Sequence, residues 1–146
     1  MCDNYWNEER MRMGDKTKDM TVADLAIGKK IWVIAEGYIP SSSTGPAPEM
    51  TSHESICIVN ASDQPALLTI TIYFTDREPI GPYEITVGVR RSKHVRFGEL
   101  KRPEAIPIAT EYSSVIMSDT PIVVQHTRLD SRQSENALMT TIAYSQ

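Results

Sequence analysis

The sequence predicts an all-β fold, an antiparallel sandwich or jelly roll of seven or eight short strands, on three observations. Apolar and polar residues alternate with a period of two, most cleanly in ALLTITIYFTD. There Leu68, Ile70, Ile72 and Phe74 share one face and Thr69, Thr71, Tyr73 and Thr75 the other. Turn formers separate these runs at short intervals, and no long stretch carries a convincing helical period.

Taken in order, residues 1–20 are polar, mix both charge signs and show no period, so 1–27 read as an extension, either disordered or a short partner-dependent helix. Thr21 is placed to cap a short turn through Asp24. The domain proper is expected over 28–146. IWVIAEGYI is its first strand, and Pro40 with SSSTGPAPE forms a loop long enough to be functional. ESICIVNA is apolar on both faces, as a central strand requires, and residues 60–65 turn the chain into ALLTITIYFTD. In YEITVGV, Tyr83, Ile85, Val87 and Val89 point one way. Because Arg91 and Lys93 would continue that apolar face, a corner or bulge is expected at RRSK before HVRF resumes pairing. KRPEAIPIA is a proline-broken connection. SSVIMS, IVVQHTR and LMTTIAY supply the last β segments, although SRQSENALMTTIA also contains enough helix formers to read as a helix.

Composition bounds the function. The 146 residues suit one domain with a real core, and a net charge of -4 argues against a surface matched as a whole to nucleic acid. Cys2 and Cys57 form neither a disulfide framework nor a CxxC metal site, which suits a reducing cytoplasm. Apolar runs fall far short of the roughly 20 residues that cross a bilayer, and the start of the chain lacks the pattern of a secretory signal. A soluble, cytoplasmic protein with no membrane insertion is expected.

The chemistry concentrates in IVVQHTRLDSR. On an extended chain Ile122, Val124, His126, Arg128, Asp130 and Arg132 share a face that begins as core and becomes polar. It is either a binding surface or a solvated, salt-bridged strand end. His53, His94 and His126 lie in different segments without the close ligand pairs of a zinc site, and no GxSxG elbow marks a hydrolase, so neither a metal nor an enzyme is expected, and no cofactor is called for. Glu36 and Glu54 are the best candidates for a carboxylate pair, and Glu36, inside an apolar strand, would need an arginine or a tyrosine hydroxyl as partner. Arg90, Arg91, Lys93, Arg96, Lys101 and Arg102, with His94 among them, form the concentrated basic region. It either contacts phosphates or is neutralised by Asp76, Glu78, Glu99 and Glu104. Trp32, Tyr38 and Tyr73 are aromatics near polar groups, suited to a sugar platform, a subunit interface or core packing, and Gln125 and Asn136 add hydrogen-bonding groups.

WVIAEGYIP, the His53-Glu54 pair, YFTDREPIGPY, RRSKHVRF and PIVVQHTRLDSRQSENAL together resemble the sensory rhodopsin transducer family, from about Gly28 to the end of the chain. The resemblance implies a β-sandwich of jelly-roll type, a homotetramer, a cytoplasmic location and a signalling partner such as a membrane photoreceptor. It also implies a small sugar-like, polyol or anionic ligand, and some contact with DNA. The motif residues it carries over are Trp32, Glu36, Tyr38, His53, Glu54, Arg90, Arg91, Lys93, His94, Arg96, Gln125, His126, Arg128, Asp130 and Arg132. The expected function is a non-enzymatic transducer module in which Arg90, Arg91, Lys93 and Arg128 engage anionic groups while Glu36, His53, Gln125 and His126 orient hydroxyls. The alternative is a DNA-associated transcriptional regulator that uses the basic region at 90–102. The extension at 1–27 departs from the family pattern.

Overall fold

The computed structural model describes Val22 and residues 25–146. The readings of residues 1–20 and of a cap at Thr21 fall outside the described residues. Eight strands follow in chain order: β1 (Lys29–Tyr38), β2 (His53–Asn60), β3 (Ala66–Tyr73), β4 (Ile80–Val87), β5 (Arg91–Arg96), β6 (Glu111–Asp130), β7 (Ala137–Ile142) and β8 (Tyr144–Ser145). A 3-10 turn at Phe97–Glu99 follows β5. All pairings between them are antiparallel.

The organising element is β6, 20 residues long and shared by two leaves of one sheet. Its first part pairs with β1 and β3, in a leaf ordered β4-β3-β6-β1-β8. Its second part pairs with β2 and β7, in a leaf ordered β5-β2-β6-β7. SSVIMS and IVVQHTR are thus one strand that changes leaf at residues 119–121. Pairing with β3 ends at Ser118, pairing with β2 begins at Val123, and β1 jumps from Met117 to Ile122 in register. Pro121 sits in this corner, where a missing N–H costs no ladder bond. The Asp119 carboxylate holds the corner to β3 by accepting the Leu67 N–H at 2.9 Å.

The leaves close on one core. Trp32, Ile34, Leu68, Ile70, Ile72, Tyr83, Ile85, Val87 and Ile116 come from the first leaf, and Ile56, Ile58, Val95, Ile122 and Val124 from the second. Each large aliphatic side chain buried there stabilises the fold by about 1.5–3 kcal/mol. The alternation in β3 is as the sequence predicts, with Leu68, Ile70 and Ile72 buried, and β2 is central, flanked by β5 and β6.

Two expectations are corrected and one open alternative is decided. The corner precedes the basic run: Arg90 takes φ 50°, and Arg91, Ser92 and Lys93 already belong to β5. Of the two readings open for the C-terminal segment the strand holds, since ALMTTI pairs along β6 as β7. Glu36 is not the buried glutamate. Its side chain is 68% exposed, and the carboxylate taken fully out of solvent is that of Glu54.

Candidate functional site

Even-numbered residues of β6 face inward on both sides of the change of leaf, with Tyr112, Ser114 and Ile116 buried before it and Ile122, Val124 and His126 after it. Were β6 straight, Tyr112 and Arg128 would lie about 50 Å apart. The change of leaf brings them to the same end of the sandwich, where both bind one carboxylate. Glu54 lies opposite Arg128 in register, and the two side chains meet inside the sandwich.

The Tyr112 hydroxyl donates to Glu54 Oε2 at 2.7 Å and Arg128 Nε donates to Glu54 Oε1 at 2.6 Å. His126 Nε2 stands 3.5 Å from Oε2, close enough for attraction when the ring is protonated, but it makes no hydrogen bond. Burial acts to raise the Glu54 pKa, but the neighbouring His126, the Tyr112 hydroxyl, the Tyr38 N–H and Arg128 together hold it below its ordinary value. Tyr112 is pushed well above a normal phenol, first by burial and then by the Glu54 charge. For Arg128, burial favours the neutral form, and the hydrogen bonds it donates to Glu54 and Glu36 outweigh it and raise the pKa. Glu54 is therefore a buried carboxylate held toward its ionised form, with Tyr112 on one oxygen and Arg128 on the other.

Arg128 is the hub. Its Nη1 donates to Glu36 Oε1 at 2.9 Å, so one guanidinium links the buried carboxylate to an exposed one. Its Nη2 is shielded from solvent yet has no partner among the described residues. At the rim, Asp130 and Arg132 form an ion pair at 2.6 Å, and the Arg132 guanidinium lies 5.8 Å from the centre of the Tyr38 ring. Arg132 holds the Asp130 pKa below the usual carboxylate range. Beside this network, between β1 and β7, runs an open groove of about 470 Å³. Its walls include Val33, Ala35, Met139 and Tyr144, with Glu36 and His126 as its charged or titratable members. Register explains the lining: Met139 and Thr141 lie opposite Arg128 and His126 and face inward, whereas Leu138, Thr140 and Ile142 face outward with Leu129, Thr127 and Gln125.

The structure thus brings together Glu36, Tyr38, Glu54, His126, Arg128, Asp130 and Arg132, and separates the rest of the sequence-predicted set. His53 points to the opposite side of β2 from Glu54, with its Nδ1 2.7 Å from the Thr51 carbonyl. Gln125 is on the outer face, donating to the Thr140 hydroxyl at 2.7 Å. Trp32 is 3% exposed and packs in the core, and Asn136 is exposed in the loop before β7. Arg90, Arg91, Lys93, His94 and Arg96 line β5 and its preceding turn. Asp63, rather than the acids expected from the sequence, pairs with Arg90, at 2.6 Å. Among the described residues no group of three or more His, Cys, Asp or Glu side chains could hold a metal ion, and no helix is long and apolar enough to cross a membrane.

Sequence reasoning missed three contributors. Tyr112 was legible as the first inward position of the alternation Tyr112, Ser114, Ile116. Gly37 gives its ring room, since a Cβ there would collide with the Tyr112 ring. Ser131 is fully buried and ties the β1–β2 loop to the end of β6, through Thr44 N–H to its carbonyl at 2.7 Å and its own hydroxyl to the Met50 carbonyl at 2.7 Å.

Comparison with known proteins places this geometry in a family. Residues 27–145 match the family described as Anabaena sensory rhodopsin transducer. The chain belongs to the sensory rhodopsin transducer family. Among solved structures, the Anabaena sensory rhodopsin transducer is 56% identical, with the alignment covering 70% of this chain and 99% of that one at a TM-score of 0.65. Thermotoga maritima 1070 is 36% identical, with 82% of this chain and 96% of that one covered at a TM-score of 0.73. No curated protein matches the chain. Both structural relatives are spanned almost completely, so the resemblance covers their whole folds.

Proposed function

We propose that the protein is a non-enzymatic signal-transducer module that works as a homotetramer, relays a signal from a sensory rhodopsin or another signalling protein, and takes a small sugar-like or anionic ligand in the groove between β1 and β7. The observation that carries this reading is the two-sided chemistry of β7. Outward, Leu138 and Ile142 are 69% and 60% exposed on an edge strand with no charged residue, a surface suited to burial against further copies of the chain. Inward, Met139 and Thr141 close a groove over an ion-pair network with two unpartnered nitrogens. Family membership supports the transducer role, and the name of the Anabaena relative supports a rhodopsin as partner. The full burial of Glu54 and its bonds to Tyr112 and Arg128 support a positioning role for it over catalysis.

The test is a melting-temperature screen of the purified protein against sugars, polyols and organic acids, with its mass measured by light scattering. The reading expects a tetramer and a midpoint that rises with ligand concentration, by mass action on the native state. A monomer whose midpoint no compound moves sinks it.

A further inference from the structure

Resting on the groove as a ligand site, we propose that its ligand is an apolar carboxylate, whose head group takes the place of the Glu36 carboxylate on the Arg128 guanidinium beside the groove. Three observations meet here. First, the Arg128 fork is only partly used. Nε is committed to Glu54 at 2.6 Å, Nη1 is held by a single oxygen of Glu36 at 2.9 Å, and Nη2 has no partner although it is shielded from water. A buried donor left unmade is unfavourable, and the parallel Nη1 and Nη2 hydrogens match the two oxygens of one carboxylate.

Second, Glu36 is built to leave. Its side chain is 68% exposed against 17% for Arg128, and its one hydrogen bond in the structure is to Nη1, so it can swing into water without orphaning another group. The Glu54 carboxylate, fully buried and bonded to Tyr112 as well as Arg128, cannot. Displacement is also required by charge. Glu36 and Glu54 against Arg128 leave the site acidic, and an anion gains from entering only where Glu36 withdraws. Third, Glu36 is on the groove wall, and the neighbouring lining residues Val33, Ala35, Met139 and Tyr144 offer an apolar trough to whatever follows the head group. A free sugar would leave most of that wall unsatisfied.

The competing head group is a cation, which would be drawn to Glu36 itself. The two ideas predict opposite effects of one substitution at an exposed position that leaves the fold intact. Calorimetric titrations of the full chain with hexanoate, hexylammonium and glucose are therefore made on the wild type and on Glu36→Ala. Expected are binding of hexanoate to the wild type and binding several-fold tighter, up to about tenfold, to Glu36→Ala, as the competing carboxylate is removed. Arg128→Lys, which keeps the charge and loses the fork, should weaken hexanoate binding. Should that variant fold poorly, the Glu36→Ala comparison decides alone. Hexylammonium binding that Glu36→Ala abolishes would overturn the proposal, as would hexanoate binding equal in the two proteins. Glucose binding without hexanoate binding would overturn it while leaving the groove as a ligand site. Silence from all three probes in both proteins would overturn it too, and the groove reading then rests on the wider screen.

Discussion

Among the described residues, strands β5 and β7 are the two open edges of the same leaf, β5 pairing only with β2 and β7 only with β6, and their chemistry is opposite. β5 reads RSKHVR. By register with the buried Ile58 and Asn60, its Lys93 and Arg91 point toward the inner side of the leaf. An added strand would have to bury those charges, which is how natural edges resist unwanted pairing. β7 reads ALMTTI, without a charge, and its outward Leu138 and Ile142 stand in water. An edge is left unguarded where it is meant to be covered. On the proposed function β7 is the edge that further copies cover, and the basic residues of β5 guard the other edge rather than track phosphates.

The strongest perturbation of the comparison lies beneath β7, where the Glu54 network supports the inner face. Glu54→Gln leaves Arg128 and Tyr112 facing a neutral amide in a buried site. It should cost about 3–5 kcal/mol and lower the melting midpoint by on the order of 10 °C by calorimetry. The same group sets an acid limit. Because the folded pKa lies below the ordinary carboxylate value, its contribution is present above that ordinary value and lost as pH falls through the folded pKa. Acid titration of wild type and Glu54→Gln followed by circular dichroism should show this part of the acid transition missing in the variant.

Next in size is the edge itself. Leu138→Asp with Ile142→Asp places charge on the unguarded strand, and light scattering should then find monomers with an unchanged circular dichroism spectrum. The converse change, Arg91→Val with Lys93→Val, removes the guard from β5. It should promote concentration-dependent aggregation while leaving ligand binding in the groove untouched. A variant that stays soluble but loses salt-sensitive DNA binding would return β5 to a nucleic-acid role. The smallest effect is expected at the rim, where Arg132→Gln breaks a solvent-exposed pair with Asp130 and should leave the melting midpoint essentially unmoved.

Much of this was legible in the sequence. The alternation in ALLTITIYFTD and the inward series Ile122, Val124, His126, Arg128 gave the strands and their faces, because a period of two is a local property. That a buried glutamate would be met by arginine and tyrosine hydroxyl was also legible, but Glu36 was the wrong one. Apolar neighbours in sequence suggest burial, yet Glu36 follows the last inward pairing of β1 with Ser114, at a break in register between Ile34 and Gly37. The convergence of Tyr112 with Arg128 was illegible, since it depends on β6 changing leaf at Pro121, a long-range event with no local period. His53 and Glu54 were read as a pair because they are adjacent, although adjacency in a strand places side chains on opposite faces.

The contrast between the edges is tested most directly by hydrogen exchange resolved to individual amides, on the wild type and on the Leu138→Asp, Ile142→Asp variant. In the wild type, the outward-edge amides of β7 should be protected and become fast in the variant, while those on the open edge of β5 exchange fast in both. Fast exchange along β7 in the wild type, or protection along β5 instead, would contradict the assignment of β7 as the covered edge.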